Sequence, residues 1–213
     1  LSHWPNGRPG SNPGPGAKTV LRKKFISEKQ DCGSMSLNEA FIREIIRRLC
    51  DDLRDEKFVP ILESDVVAYL YHLMVSEGVP AASIHVDSRV IGLGNEKVDL
   101  AVGEVVWRRD GRRAVKPHLI MEVKAFFRDF SGPQCRRRFT KLIGEASGKK
   151  GDLEKLREIE CDYKYVLILD EKGYLRGIYK GEKRESVVSE RRDKIAPGVR
   201  IMVITPGYEV REF

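Results

Sequence analysis

Cysteine is scarce in this chain, with four in 213 residues, at Cys32, Cys50, Cys135 and Cys161, and no CxxC pair among them. That spacing argues against a zinc cluster and against the dense disulfide framework of a small secreted domain. Reduced thiols in a cytoplasmic protein are the expectation. No apolar run approaches the roughly 20 residues that a membrane-spanning helix needs. The first residues also lack the apolar segment of a signal peptide. Histidine is as sparse as cysteine, and its four copies are scattered. His72 reads as structural and His118 as a surface residue.

Two nucleotide-binding signatures are missing as well. "GEASGKKGD" (144–152) has too short a glycine spacing for a phosphate loop, and Lys150 stands where Ser or Thr is required. It reads as a flexible loop able to touch a nucleic-acid backbone through Lys149 and Lys150. "GLGNE" (92–96) lacks the third glycine and the following helix of a dinucleotide fingerprint, so it reads as a turn. No internal repeat is visible.

What remains is a charged, basic, globular composition: 41% hydrophobic, 33% charged, formal net charge +7. A polyanion is a reasonable partner for such a surface. Residues 1–35 begin with "LSHWPNGRPGSNPGPGAKT", rich in Pro and Gly and without hydrophobic period, and are expected to be a flexible tail. Residues 36–213 are expected to form a single α/β domain with a mixed sheet.

Leu37, Phe41, Ile45, Leu49 and Leu53 recur at four-residue intervals, the stripe of an amphipathic helix, with Ser36 and Glu39 as its capping box. A second helix runs from Glu63 or Ser64 to Gly78. Strand-like runs follow at 83–92, 96–107 and 112–127, then a helix in "GDLEKLREI" (151–159). Three further strands are expected in "YKYVLILD", "YLRGIYKG" and "VRIMVIT".

"LIMEVKAFF" (119–127) carries Glu122 and Lys124 inside an apolar run. Alternate strand residues share a face, so these two project together, opposite Leu119, Met121 and Val123. Asp110-Gly111 upstream predicts a two-residue hairpin turn in which Arg109 opposes Arg112. Extending that ladder sets Val98 against Val123, Leu100 against Met121 and Val102 against Leu119. On the other face Asp99 meets Glu122, and Lys97 meets Lys124. Two carboxylates directly across a ladder repel. Lysines on a solvated, alternating-charge face could relieve them, and so could a divalent cation. Pro117 signals an edge or a bulge in this hairpin, and a one-residue slip would separate the acids.

Asp99 followed on the next strand by Glu122-Val123-Lys124 resembles the PD-(D/E)XK nuclease superfamily, whose fold is restriction-endonuclease-like. The resemblance covers roughly residues 60–170, including the helix with Glu63 at its start, the acidic hairpin, the "GDLEKLREI" helix and the strand "YKYVLILD". Val98 stands where the motif has proline. The resemblance implies a Mg²⁺- or Mn²⁺-dependent phosphodiester hydrolase acting on nucleic acid, DNA first. Asp99, Glu122 and the Val123 backbone carbonyl would be metal contacts. Lys124 would orient or help deprotonate the attacking water and stabilise charge, and Glu63 would contribute from its helix. Arg108, Arg109, Arg112 and Arg113 at the hairpin tip, with Arg136, Arg137 and Arg138, are expected to touch phosphates, which positions a duplex without reading it. Gln134 is a weaker candidate near the site. The alternative function is an inactive nuclease-like module that holds nucleic acid or protein. No membrane partner is expected, and a second copy of the chain stays open as one.

Overall fold

A computed structural model describes residues 37–145 and 150–213. The expected tail, Ser36 and Lys149 lie outside the described residues. Helix α1 (Glu39–Arg54) buries Ile42, Ile45, Ile46, Leu49 and Leu53 along one face, as its apolar period requires. Its cap is Asn38, whose side chain accepts the Phe41 amide at 2.9 Å. Helix α2 (Glu63–Ser76) is opened by Asp65, whose Oδ2 accepts the amides of Ile61 and Leu62, each at 2.8 Å. It stops where Gly78 takes a left-handed φ of 90°.

The central sheet has six strands in the order β1 (Ile84–Arg89), β2 (Lys97–Trp107), β3 (Arg113–Ala125), β4 (Tyr163–Leu169), β7 (Arg200–Ile204), β8 (Val210–Glu212). β1, β2 and β3 form an antiparallel meander, β3, β4 and β7 run parallel, and β8 returns antiparallel on β7. The parallel step from β3 to β4 is bridged by helices α3 (Gly132–Leu142) and α4 (Asp152–Arg157). This is the mixed α/β architecture expected of a restriction-endonuclease-like core. From Leu119 to Phe127 every residue is buried, which explains the near-continuous apolar run there. Among the described residues no helix is long and apolar enough to cross a membrane.

Several elements depart from expectation. "YLRGIYKG" is not a core strand: Tyr174–Arg176 is a 3-10 turn, and the two-residue β5 (Ile178–Tyr179) pairs only with β6 (Glu182–Lys183) in a separate hairpin. Helix α5 (Arg184–Ile195) buries Val188 alone, so it carries almost no apolar stripe to read. Helix α3 buries Cys135, Phe139 and Leu142 and is otherwise polar. Gln134 belongs to the cap of α3: its Oε1 accepts the Ser131 amide at 2.7 Å, which takes it away from any site role.

The hairpin corrects the expected turn. Arg108 N donates to Arg112 O at 2.8 Å and Trp107 pairs with Arg113, so the loop has three residues, with Gly111 at φ 74°. A three-residue loop ending on a left-handed glycine is a favoured hairpin type. The register at the tip is therefore one residue off the expected one. Farther along, Gly103 pairs with Pro117 but Val102 pairs with Leu119. His118 is the extra residue of a β-bulge, and the slip is undone. Leu100 pairs with Met121, as expected from the sequence.

Candidate active site where β2 and β3 part

The β2–β3 ladder ends at Leu100 and Met121, and past it side chains replace backbone acceptors. Asp99 Oδ2 accepts the Val123 amide at 2.7 Å. Glu63, in the first turn of α2, accepts the Ala125 amide through Oε1 at 3.1 Å. Two carboxylates are thus hung on alternate amides of β3, on either side of the Lys124 position. Asp99, Glu122, Lys124 and Glu63 gather at one end of the hairpin.

Glu122 and Lys124 are 1% and 3% exposed, which removes the solvated-face alternative. A buried carboxylate needs a counter-charge. Lys97 does not supply it; its ammonium goes to Asp87. Lys155 does. From helix α4 its Nζ meets Glu122 Oε1, donates to the Lys97 carbonyl at 2.8 Å and lies 3.9 Å from Asp152 Oδ1. Asp152, itself 1% exposed, faces Lys124 at 3.3 Å and Lys141 at 3.5 Å. The site is an alternation of acids and amines, buried on β3 and α4 and half-buried on β2 and α2.

Burial first, and the Asp99 carboxylate second, push Glu122 up to about 8, against the opposing pull of Lys155. For Lys124, burial alone favours the neutral amine, but Asp152, then Glu63, Glu122 and Asp99, outweigh it and raise the group. Lys124 is a firmly protonated ammonium, and its Nζ donates to the Val123 carbonyl at 3.0 Å.

The donor set suits a hard cation in kind. Asp99, Glu122 and the Val123 carbonyl are oxygen donors, and the buried Glu122 Oε1 takes no well-directed hydrogen bond. The charge it meets is the Lys155 ammonium. Among the described residues no three His, Cys, Asp or Glu side chains form a ready-made metal cage. Mg²⁺ does not need one, being commonly held by one or two carboxylates with water and phosphate completing its shell.

The basic residues divide. Arg138 turns inward: its Nε donates to Glu63 Oε1 at 3.0 Å and its guanidinium lies 4.2 Å from the centre of the Phe130 ring. Arg136 and Arg137 are exposed on α3. At the hairpin tip Arg108 bonds the Gly94 carbonyl and Arg112 reaches Asn95 at 3.0 Å. Arg113 stacks 4.9 Å from the Trp107 ring centre. Arg109, Arg112 and Arg113 are all exposed. Lys150 is paired with Glu158 at 2.7 Å, leaving it less free for a phosphate. His118 is exposed and bonds Asp162 at 3.1 Å. His72 is exposed on α2, tilted against Tyr69.

Asp152 and Lys155 escaped the sequence reading. Their only signal was two opposite charges three residues apart on a helix whose Leu153 and Leu156 are apolar and buried. Trp107, 69% exposed beside the arginines, was passed over too.

No protein-family model matches the chain, and no curated protein matches it. Among solved structures, SfsA of Pyrococcus furiosus in complex with Ca²⁺ aligns over 69% of this chain and 61% of its own, at 11% identity and a TM-score of 0.28. The chain therefore spans less than two thirds of SfsA, and so faint a likeness carries no argument about chemistry.

Proposed function

We propose that the protein is a metal-dependent phosphodiester hydrolase acting on nucleic acid, DNA first, of the PD-(D/E)XK type. The observation that carries this reading is Asp99, held on the Val123 amide at 2.7 Å, standing beside the buried Glu122 and Lys124. Two carboxylates converging with one of them buried disfavour each other's charge, and a divalent cation would relieve them. Asp99, Glu122 and the Val123 carbonyl would hold Mg²⁺ or Mn²⁺. When bound, such a metal lowers the pKa of a coordinated water and polarises the phosphate.

The chain's own residues do the rest. Lys124, held as an ammonium by the acids around it, stabilises negative charge on the phosphate and orients the water. Glu63 braces the end of β3 through the Ala125 amide and is itself held by Arg138. The exposed arginines of the hairpin tip and α3 hold backbone phosphates.

A second reading rests on a different observation. Lys155 already neutralises Glu122 and Lys124 already faces Asp152, so the network is complete without metal, as an inactive binding module would be.

Incubation with duplex, nicked, branched and single-stranded DNA, and with RNA, under Mg²⁺, Mn²⁺ or EDTA separates the two. The hydrolase cuts only with metal, and Asp99→Ala and Lys124→Ala each lose about 100-fold or more in rate. Salt-sensitive binding without cutting, unchanged in both variants, supports the module.

A further inference from the structure

We propose that Lys155 is an internal cation that competes with the divalent metal for Glu122, and that Asp152 is the carboxylate that receives it when metal binds. The inference rests on the metal-hydrolase reading. Its starting point is an exclusion. Glu122 is buried and must be neutralised, and two cations on one carboxylate oxygen repel strongly in a dry site. Lys155 and a metal therefore compete for the Glu122 carboxylate, whose Oε1 the lysine now holds.

Lys155 has somewhere to go. Asp152 lies one helical turn away on α4, with Oδ1 at 3.9 Å from the Lys155 ammonium. Neither Asp152 oxygen takes a hydrogen bond, although both are buried. Lys124 and Lys141 lie at 3.3 and 3.5 Å from it, so the carboxylate is surrounded by ammoniums but poorly bonded to them. Such a group is an unfilled acceptor. The lysine stem is long and flexible enough to swing its head from one acid to the other while the helix stays in place. The exchange has a consequence for Lys124. With Lys155 on Asp152, that carboxylate is shared by three ammoniums, and its hold on Lys124 loosens just as a phosphate would need it. Lys155 is thus a positioning residue, outside the metal's own ligand set.

The test is calorimetric titration of the full chain with Mn²⁺, without nucleic acid, with all variants compared at one neutral pH. Lys155→Gln removes the charge but keeps a donor for the Lys97 carbonyl, and Lys155→Met is the stricter variant. Lys155→Gln is expected to bind Mn²⁺ about tenfold tighter than wild type, or more. Asp152→Asn is expected to bind it more weakly. In the double variant the Asp152→Asn effect should vanish, because no lysine remains to be received.

Equal or weaker binding by Lys155→Gln overturns the inference and leaves the hydrolase reading standing. Binding by the lysine variants alone upholds it and makes the wild type the inactive module. No binding by any of the five proteins overturns both. Additive effects in the double variant remove Asp152 from the exchange.

Discussion

Gly103 lies against Pro117 with no room for a side chain: a β-carbon there would stand 2.1 Å from the Lys116 carbonyl oxygen and 2.8 Å from Pro117 Cα. This contact is the bulge that returns β2 and β3 to the register in which Leu100 pairs with Met121, next to Asp99 and Glu122. Gly103→Ala must push two backbones apart. It is expected to cost about 2–4 kcal/mol, at or above the usual range for overpacking. A lower urea midpoint measures it; an unchanged midpoint would mean the bulge tolerates the methyl group.

Glu122 gives stability a pH dependence whose sign is set. Folded, it keeps its proton up to about 8; unfolded, it releases it near 4.5. Its favourable contribution is fullest below the lower value and is lost as pH rises through the upper one. Wild type should therefore weaken by a few kcal/mol, in order of magnitude, across that window, and Glu122→Gln should weaken much less. Urea midpoints of both proteins at several pH values decide it, and parallel curves would refute the assignment.

Arg138 looks important but is expected to add little stability. Its pair with Glu63 is 28% and 29% exposed, so solvent screens it, and Arg138→Ala should cost about 1 kcal/mol or less. A loss several times larger would show that the Phe130 stacking governs the site.

Tyr165 is buried with its hydroxyl lacking any partner. Tyr165→Phe removes that desolvated oxygen and keeps the ring, so thermal unfolding should occur at the same temperature or higher, by up to about 1 kcal/mol. A drop in melting temperature would reveal a hydrogen bond to water.

At the hairpin tip, Arg109→Ala and Arg113→Ala should each weaken nucleic-acid binding evenly across sequences. Each should lower the slope of log affinity against log salt by about one. Affinity measured at several salt concentrations tests this, and an unchanged slope would remove the tip from the binding surface.

Much of the site was written in local pattern. Strand alternation puts Glu122 and Lys124 on one face. The Asp-Gly hairpin brings Asp99 back beside Glu122, and Pro117 announced an irregularity. The expected two-residue turn was one residue short of the true loop. The register near the acids agreed because the bulge at His118 took up the difference. Helix α5 was illegible because only Val188 is buried on it, leaving no period to find.

Alternation and apolar period are properties of neighbours along the chain, so composition and order settled the hairpin strands β2 and β3, the shared face of Glu122 and Lys124, and the amphipathic α1. Which cation neutralises Glu122 is a matter of distance in space. Lys155 stands more than thirty residues away and reaches the acid only because α4 buries Leu153 and Leu156, which turns Asp152 and Lys155 into the same dry region. Charge pairing in a buried site depends on how helices seat on the sheet, and that is decided by packing of the whole core.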